Sequence, residues 1–302
     1  MPSGAQHEIR HGDQHAVVVE VGGGLRSYVA AVGDRLDGYA ADEQCSGGRG
    51  QPLLPWPNRL RDGRYEFDGQ SFQLPLTEVE TRSAIHGLTR WANWAPADQG
   101  PSYVAMEHIL HPQPGWAGTL ALRIEYELGD GGLTVTTTAT NVGVSDCPFG
   151  AGQHPYLTLG TATIDSLILQ APGRRYLEAD ERGIPTGSRP VEATELDFRS
   201  PREIGPAQLD HAFTDLEREH DGFARVRIAT AGGASRATMW VDGTYTHLML
   251  FTGDTLAPAE RRRGLAIEPM TCPPNALQSG EDLLRLAPGD SFRGRWGIEP
   301  AS

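Results

Sequence analysis

Leu120-Ala-Leu-Arg-Ile-Glu-Tyr-Glu-Leu128, then Gly129-Asp-Gly-Gly132, then Leu133-Thr-Val-Thr-Thr-Thr-Ala-Thr-Asn141 is the stretch that sets the class of this chain. Leu120, Leu122, Ile124, Tyr126 and Leu128 alternate with polar or small residues, the two-residue period of a strand with one buried face. The glycine-rich tetrapeptide turns the chain, and the return segment is rich in β-branched residues that suit a pleated, half-buried surface. Working outward, the same signals predict strands over 16–21, 25–32, 102–109, 224–229, 237–241, 247–251, 265–267 and 292–298. Arg64-Tyr-Glu-Phe67 and Gln70-Ser-Phe-Gln-Leu74 flank Asp68-Gly69, the dipeptide favoured in a type I′ hairpin turn. No window sustains a helical period, no internal repeat is visible and no linker divides the chain. With 37 Gly and 22 Pro in 302 residues, turns are plentiful. The expectation is one all-β domain over 1–302, built of two packed sheets with long loops on one face. Residues 1–14 are polar and read as an N-terminal arm, and 174–206 reads as a loop-rich region without assignable chemistry.

Composition removes several function classes. The net charge of −13 is unsuited to nucleic acid or to an anionic membrane surface, both of which need a basic face. All 26 basic residues are arginine, so lysine Schiff-base chemistry and a P-loop lysine are absent. Cys45, Cys147 and Cys272 are widely spaced and suggest neither a disulfide framework nor a zinc ribbon. Without a signal-peptide pattern or a long apolar run, a soluble cytoplasmic protein is the expectation. His7, His11 and His15 would line one face of a helix, but Gly12 and Asp13 break that helix, so no metal site is read there.

Chemistry gathers on short, stiff segments. In Gly264-Leu-Ala-Ile-Glu-Pro-Met-Thr-Cys-Pro-Pro-Asn-Ala-Leu277, Glu268 follows an apolar strand and is held by Pro269 at the strand's exit. A carboxylate on an apolar mount has a raised pKa and suits a general base, although a structural hydrogen bond would explain it as well at this point. Gly150-Ala-Gly-Gln-His-Pro-Tyr-Leu157 repeats the design around His154. His86 precedes a glycine in Ala84-Ile-His-Gly-Leu88, and Asp210 sits between Leu209 and a short apolar pair. Arg59 closes Pro55-Trp-Pro-Asn-Arg59 in an irregular segment, 45–64, stiffened by prolines; such loops tend to be functional. Glu268, His154, His86, Asp210 and Arg59 form a set suited to proton transfer on a polyhydroxyl substrate. There is no Gly-x-Ser-x-Gly elbow, and no HxxxH or HxH spacing involves His86 or His154, so neither a nucleophile nor a metal is expected.

Five stretches in order carry a family resemblance: Pro55-Trp-Pro-Asn-Arg-Leu-Arg-Asp-Gly-Arg64, Ile85-His-Gly-Leu88, Gln153-His-Pro-Tyr156, Leu209-Asp-His-Ala-Phe213 and Ile267-Glu-Pro-Met-Thr-Cys-Pro-Pro-Asn-Ala276. Together they resemble the aldose 1-epimerase (galactose mutarotase) family from Ala16 to Glu299. The Trp-Pro-Asn-Arg and Glu-Pro-Met-Thr-Cys-Pro-Pro forms are most similar to a bacterial branch that includes sulfoquinovose mutarotases. The resemblance implies a galactose mutarotase-like β supersandwich and an activity that needs neither cofactor nor metal. It implies Glu268 as base, His154 as acid, and Arg59, His86 and Asp210 as holders of the sugar's hydroxyls and ring oxygen. Many members have Asn-His-Ser/Thr-Tyr-Phe where this chain has Gln153-His154-Pro155-Tyr156-Leu157, which points to a different sugar preference.

The implied reaction opens the C1–O5 bond of an aldose and recloses it on the other face. A raised Glu and a His near its ordinary pKa of about 6.5 would share the proton transfers within a narrow pH window. Two carboxylates flanking a glycosidic bond, Asp210 with Glu268, would instead suit hydrolysis, which gives His154 and His86 no task. A non-catalytic sugar-binding module is the other alternative, with Trp56, Trp91, Trp94 or Trp240 stacking on sugar faces. A hexose 6-phosphate epimerase would need an arginine cluster, for which Arg49, Arg61, Arg64 and Arg90 are candidates.

Overall fold

The computed structural model describes residues 1–30 and 33–300, with 27 strands and a single four-residue helix, Ala276–Ser279, among them. The all-β expectation holds. The founding hairpin is present as Leu120–Gly129 paired with Gly132–Asn141 in unbroken antiparallel register, Leu120 opposite Asn141 through Gly129 opposite Gly132. It lies in a nine-stranded sheet that runs from Ala95–Gln99 through Ser291–Pro300 and Arg236–Val241 to Arg202–Glu203. Along Leu120–Gly129 burial alternates residue by residue, and Leu120, Ile124 and Tyr126 are fully buried. Each such side chain contributes roughly 1.5–3 kcal/mol of apolar burial.

An eight-stranded sheet carries the chemistry. Its order is Pro185–Pro190, Gly173–Ala179, Asp210–Leu216, His247–Phe251, Leu265–Met270, Gly152–Gln153 and Pro52–Leu53, with Tyr156–Leu157 also paired to Leu265–Met270. A buried polar chain joins the two large sheets. Trp296 Nε1–H donates to Gln153 Oε1 (3.2 Å), Gln153 Nε2–H donates to the Tyr126 hydroxyl (2.9 Å), and that hydroxyl donates to the Gly23 carbonyl (2.7 Å). Fully satisfied networks of this kind fix one arrangement of the groups around them. Gln153 is therefore an anchor directed into the core and does not line the cavity described below, so its departure from the family pattern acts on packing rather than by touching a sugar.

Several boundaries differ from expectation. Residues 1–14 are not an arm: Gln6–His11 pairs with Gln14–Val19 in a four-stranded sheet, and Ile9 is fully buried. Its single apolar residue among polar ones hides the strand from a composition-based reading. The strand expected over 25–32 is Leu25–Ala30, and its last two predicted residues lie outside the described ones. The region 174–206 holds a hairpin, Gly173–Ala179 with Pro185–Pro190, at the edge of the site-bearing sheet. The second of these strands is exposed along almost its whole length, so no buried face marks it in the sequence. The Asp68-Gly69 hairpin is as predicted, with both turn residues at positive φ (51° and 73°). No helix among the described residues is long and apolar enough to cross a membrane.

Candidate active site

Glu268 does not stand at a strand's end. The strand runs Leu265–Met270, through the carboxylate and Pro269, and all six residues are buried. Proline is tolerated because the neighbouring strand is interrupted there. Ile267 N–H donates to the Pro155 carbonyl and Thr271 N–H to the Ala151 carbonyl, while between them Pro269 leaves one rung of the ladder empty. The two flanks of the interruption keep a common register, Gly152 opposite Met270 and Tyr156 opposite Ala266. That register sets His154 directly across from Glu268, and cross-strand neighbours have Cβ atoms about 4.5–5.5 Å apart. The outcome is a direct contact, His154 Nε2 to Glu268 Oε1 at 3.2 Å, with both residues buried.

Neither group is otherwise satisfied. Glu268 Oε2 and His154 Nδ1 are buried without hydrogen-bond partners. Burial pushes the Glu268 carboxyl well above the ordinary carboxylate range, the negative charge of Asp210 adds to this, and Arg59 opposes it. Burial pushes His154 far below the usual imidazole range, with Arg90 and Arg49 repelling its charged form. The narrow window expected from an ordinary histidine is thus replaced by two groups displaced in opposite directions. They titrate as one unit. Both displacements favour the neutral form of the pair over its charged form.

His86, Arg59 and Asp210 surround this pair. His86 has φ +62° and is tied to Asn58 in both directions: its N–H donates to the Asn58 carbonyl (2.9 Å), and its Nδ1 accepts from the Asn58 N–H (3.2 Å). The occupied Nδ1 assigns the proton of the neutral ring to Nε2. Burial lowers the His86 pKa well below its usual value, with Arg90 next in effect. Arg59 is gripped by Glu78 through two hydrogen bonds, Nε–H to Oε2 at 2.6 Å and Nη2–H to Oε1 at 2.8 Å. Asp210 begins the strand Asp210–Leu216 and is exposed at the cavity mouth, where desolvation raises its pKa and Arg59 draws it back. In the sheet, Met249 lies between Glu268 and Ala212, and Phe251 lies between Ala266 and Asp210. By two-residue alternation Glu268 and Asp210 therefore project from the same face.

All five residues singled out in the sequence line one cavity of about 340 Å³. The cavity adds groups that the sequence did not reveal. Glu78 stood in an ordinary acidic stretch, Thr77-Glu-Val-Glu80, and only the fold shows it holding Arg59. Tyr156 stacks on His154. Of the four arginines named for an anionic sugar, Arg49 pairs with Asp37 and Arg61 with Asp180, while Arg64 donates to Gln73. Only Arg90 enters the cavity, half-buried, with one long hydrogen bond to the Ile85 carbonyl (3.4 Å) and no carboxylate partner among the described residues. Of the four tryptophans, Trp91 alone lines the cavity; Trp56 and Trp94 are buried in the core, and Trp240 packs on Phe223. His7, His11 and His15 have separate partners, Gln99, Asp130 and Glu8.

The donor atoms of His86, His154 and Glu268 lie within 4.8 Å of one another, close enough to consider a metal. The His86 tautomer opposes it, because Nε2 presents a hydrogen to the cavity while Asn58 occupies the other nitrogen. The arrangement suits a ligand with both oxygen donors and acceptors, and it can move a proton between a carboxylate and an imidazole.

The sequence profile of the aldose 1-epimerase family matches residues 5–299. The chain belongs to that family. Among curated relatives, the uncharacterized protein YihR of Escherichia coli K12 is 32% identical over 96% of this chain and 92% of its own length. Galactose mutarotase of Mus musculus is 27% identical over 78% and 73%, and aldose 1-epimerase of Escherichia coli K12 is 26% identical over 80% and 77%. The solved galactose mutarotase homologue of Caenorhabditis elegans superposes with a TM-score of 0.85 at 19% identity, covering 99% of both chains. This likeness establishes the galactose mutarotase-like fold. Membership in the aldose 1-epimerase family makes the protein an isomerase acting on carbohydrates.

Proposed function

We propose that the protein interconverts the α and β anomers of a hexose or hexose derivative, with Glu268 and His154 exchanging protons with the sugar. The observation that supports this most strongly is the buried 3.2 Å contact of His154 with Glu268, set by strand register and left unsatisfied on its outer atoms. In the ring-opening step the Glu268 carboxylate takes the proton of the C1 hydroxyl and the His154 imidazolium gives its Nε2 proton to the ring oxygen. The C1–O5 bond breaks, C1 becomes an aldehyde carbon, and rotation about C1–C2 presents its other face. Closure reverses both transfers. The ring forms thus meet a charged pair and the open aldehyde meets a neutral pair. Burial favours the neutral pair, so the site is biased toward bond opening. Each proton-transfer group contributes about 10²–10⁴-fold. His86 donates through Nε2–H, Arg59 donates through what Glu78 leaves free, and Asp210 accepts, which suits the hydroxyls of a pyranose. Exchange of anomeric signals by NMR on glucose and galactose, with and without protein, tests the proposal; equal exchange rates in both samples on every aldose tried would reject it.

Arg90 favours a second, narrower reading, a hexose with an anion at C6 such as a sulfonate or a phosphate. Its charge bears on His154 and His86, and His154 serves the ring oxygen, whose neighbour C5 carries C6. A charge-assisted hydrogen bond contributes about 1.5–3 kcal/mol. On this reading Arg90→Met lowers kcat/KM for the C6-anionic sugar by about 10- to 100-fold. The rate on glucose changes far less. An equal loss on both sugars removes this reading and leaves the first intact.

A further inference from the structure

A catalytic imidazole is normally oriented by a hydrogen bond from its second nitrogen. His154 has none, since Nδ1 is buried without a partner. Packing replaces it. A Cβ added at Gly48, which sits at φ +75°, would come 2.9 Å from His154 Cδ2 and 3.4 Å from Nε2, so the bare glycine backbone lies against the ring. Tyr156 stacks on the imidazole, with ring centroids 5.0 Å apart and planes 12° from parallel. His86 meets the ring edge-on at 5.3 Å and 75°.

The stack continues outward. The Arg49 guanidinium carbon lies 4.9 Å from the Tyr156 ring centre, and the Tyr156 hydroxyl donates to the Gly47 carbonyl at 2.8 Å. Arg49 is itself buried and fixed, with Nε–H donating to Asp37 Oδ2 (3.2 Å) and Nη1–H to Ser46 Oγ (3.1 Å). Asp37 is held from its other oxygen by Arg263 at 2.6 Å, and Ser46 donates to Glu260 at 2.7 Å. The same loop grips the main chain of His154, whose carbonyl accepts from Gly50 N–H (2.8 Å) and whose N–H donates to the Gln51 carbonyl (3.1 Å).

From this layering of Gly48, His154, Tyr156 and Arg49 we infer that Tyr156 and Arg49 are positioning residues that hold the His154 ring plane so that Nε2 stays aligned between Glu268 and the sugar's ring oxygen. The inference rests on the proposed role of His154 as the acid. A desolvated cation is attracted to an aromatic face, and Arg49 holds Tyr156 in place in this way as substrate enters. Arg49 has a second effect through its charge. The groups facing His154 are Glu268 across the sheet, His86 and Arg90 from the segment after Ile85, and Tyr156 and Arg49 behind it. Arg49 and Arg90 make the imidazolium a stronger acid toward the ring oxygen.

The test is anomer-exchange kinetics on Tyr156→Leu, Tyr156→Phe, Arg49→Met and the control His154→Gln. Misplacement of a reacting group by about 1 Å can cost about 100-fold. Tyr156→Leu is expected to lower kcat by about 10- to 100-fold with KM within about twofold. Tyr156→Phe keeps the ring face and retains most of the rate. Arg49→Met, whose partner Asp37 still has Arg263, is expected to move the acid limb of kcat/KM to higher pH. The NMR signals of the His154 ring should lose the shift imposed by the stacked Tyr156 ring in Tyr156→Leu and keep it in Tyr156→Phe. Wild-type kcat in Tyr156→Leu beside an inactive His154→Gln overturns the positioning role alone. Wild-type rates in His154→Gln overturn the acid assignment itself. Equal losses in Tyr156→Leu and Tyr156→Phe assign the effect to the hydroxyl and also overturn the inference.

Discussion

Glu268→Gln lowers kcat/KM for anomer exchange by about 10²–10⁴-fold while the protein stays folded and still binds sugar. Glutamine keeps the shape of the side chain and can donate to His154 Nε2 across the existing 3.2 Å contact, so the local packing survives. What it loses is the ability to accept the proton of the C1 hydroxyl. The charge it removes is an unfavourable one, since burial and Asp210 both oppose ionisation of Glu268. The variant should therefore match or exceed the wild type in thermal stability at pH 8, where the native carboxylate is most ionised. Loss of rate with gain of stability is the signature of a group kept for chemistry. Wild-type turnover in the variant would refute the base assignment, and a collapse in stability would recast Glu268 as structural.

Stability falls as pH drops from about 6.5 toward 4.5. His86, His154 and His247 are buried, and in each the folded-state pKa lies below the unfolded value of about 6.5, with His247 lowered to about 4 by burial. Below that unfolded value the unfolded chain binds protons at these three imidazoles more readily than the native state does. Each therefore contributes stability that is present above the unfolded pKa and lost as pH falls. Glu268 acts in the opposite direction: its folded pKa is raised, so the native state binds its proton first and gains stability as pH falls toward 4.5. Burial also lowers His108 and His211 and raises Asp210, so the lowered imidazoles outnumber the raised carboxyls and unfolding takes up protons as pH falls. Denaturant titrations at pH 7, 6 and 5 measure the slope directly. A flat profile would mean that the three rings are protonated in the native state as readily as in the unfolded one. Substituting His247→Asn, which lies outside the cavity, lowers the slope without touching the proposed acid and base.

The strand-and-turn grammar of the chain is local, and so it can be read. Alternation in Leu120–Gly129, the Asp68-Gly69 turn and the absence of helical periodicity all act over a few residues. Glu268 and His154 were visible for the same reason, each being a titratable residue followed by proline inside a buried run. Their partnership was not visible, because it depends on a register between segments more than 100 residues apart. The burial that displaces both pKa values also comes from strands distant in sequence, which is why an ordinary histidine was expected. Arginine pairing follows the same rule. Nothing near Arg49, Arg61 or Arg90 in the chain announces that two of them have carboxylate partners and that the third has none among the described residues. The strand Gln6–His11 and the hairpin after Gly173 were missed because their faces are mostly wet and carry little apolar pattern.

The empty rung at Pro269 divides the labour of the molecule. The proposed acid and base are spaced by the pairing of two strands in the middle of a sheet, where a one-residue slip would turn one of the two side chains away from the cavity. Arg90, Trp91 and Glu78, by contrast, come from turns and loops that make no part of that pairing. On the proposed function, reactivity and selectivity lie on separate parts of the chain. Replacing Trp91 with its counterpart from a relative of different preference should change which sugar is accepted while leaving the His154–Glu268 contact in place.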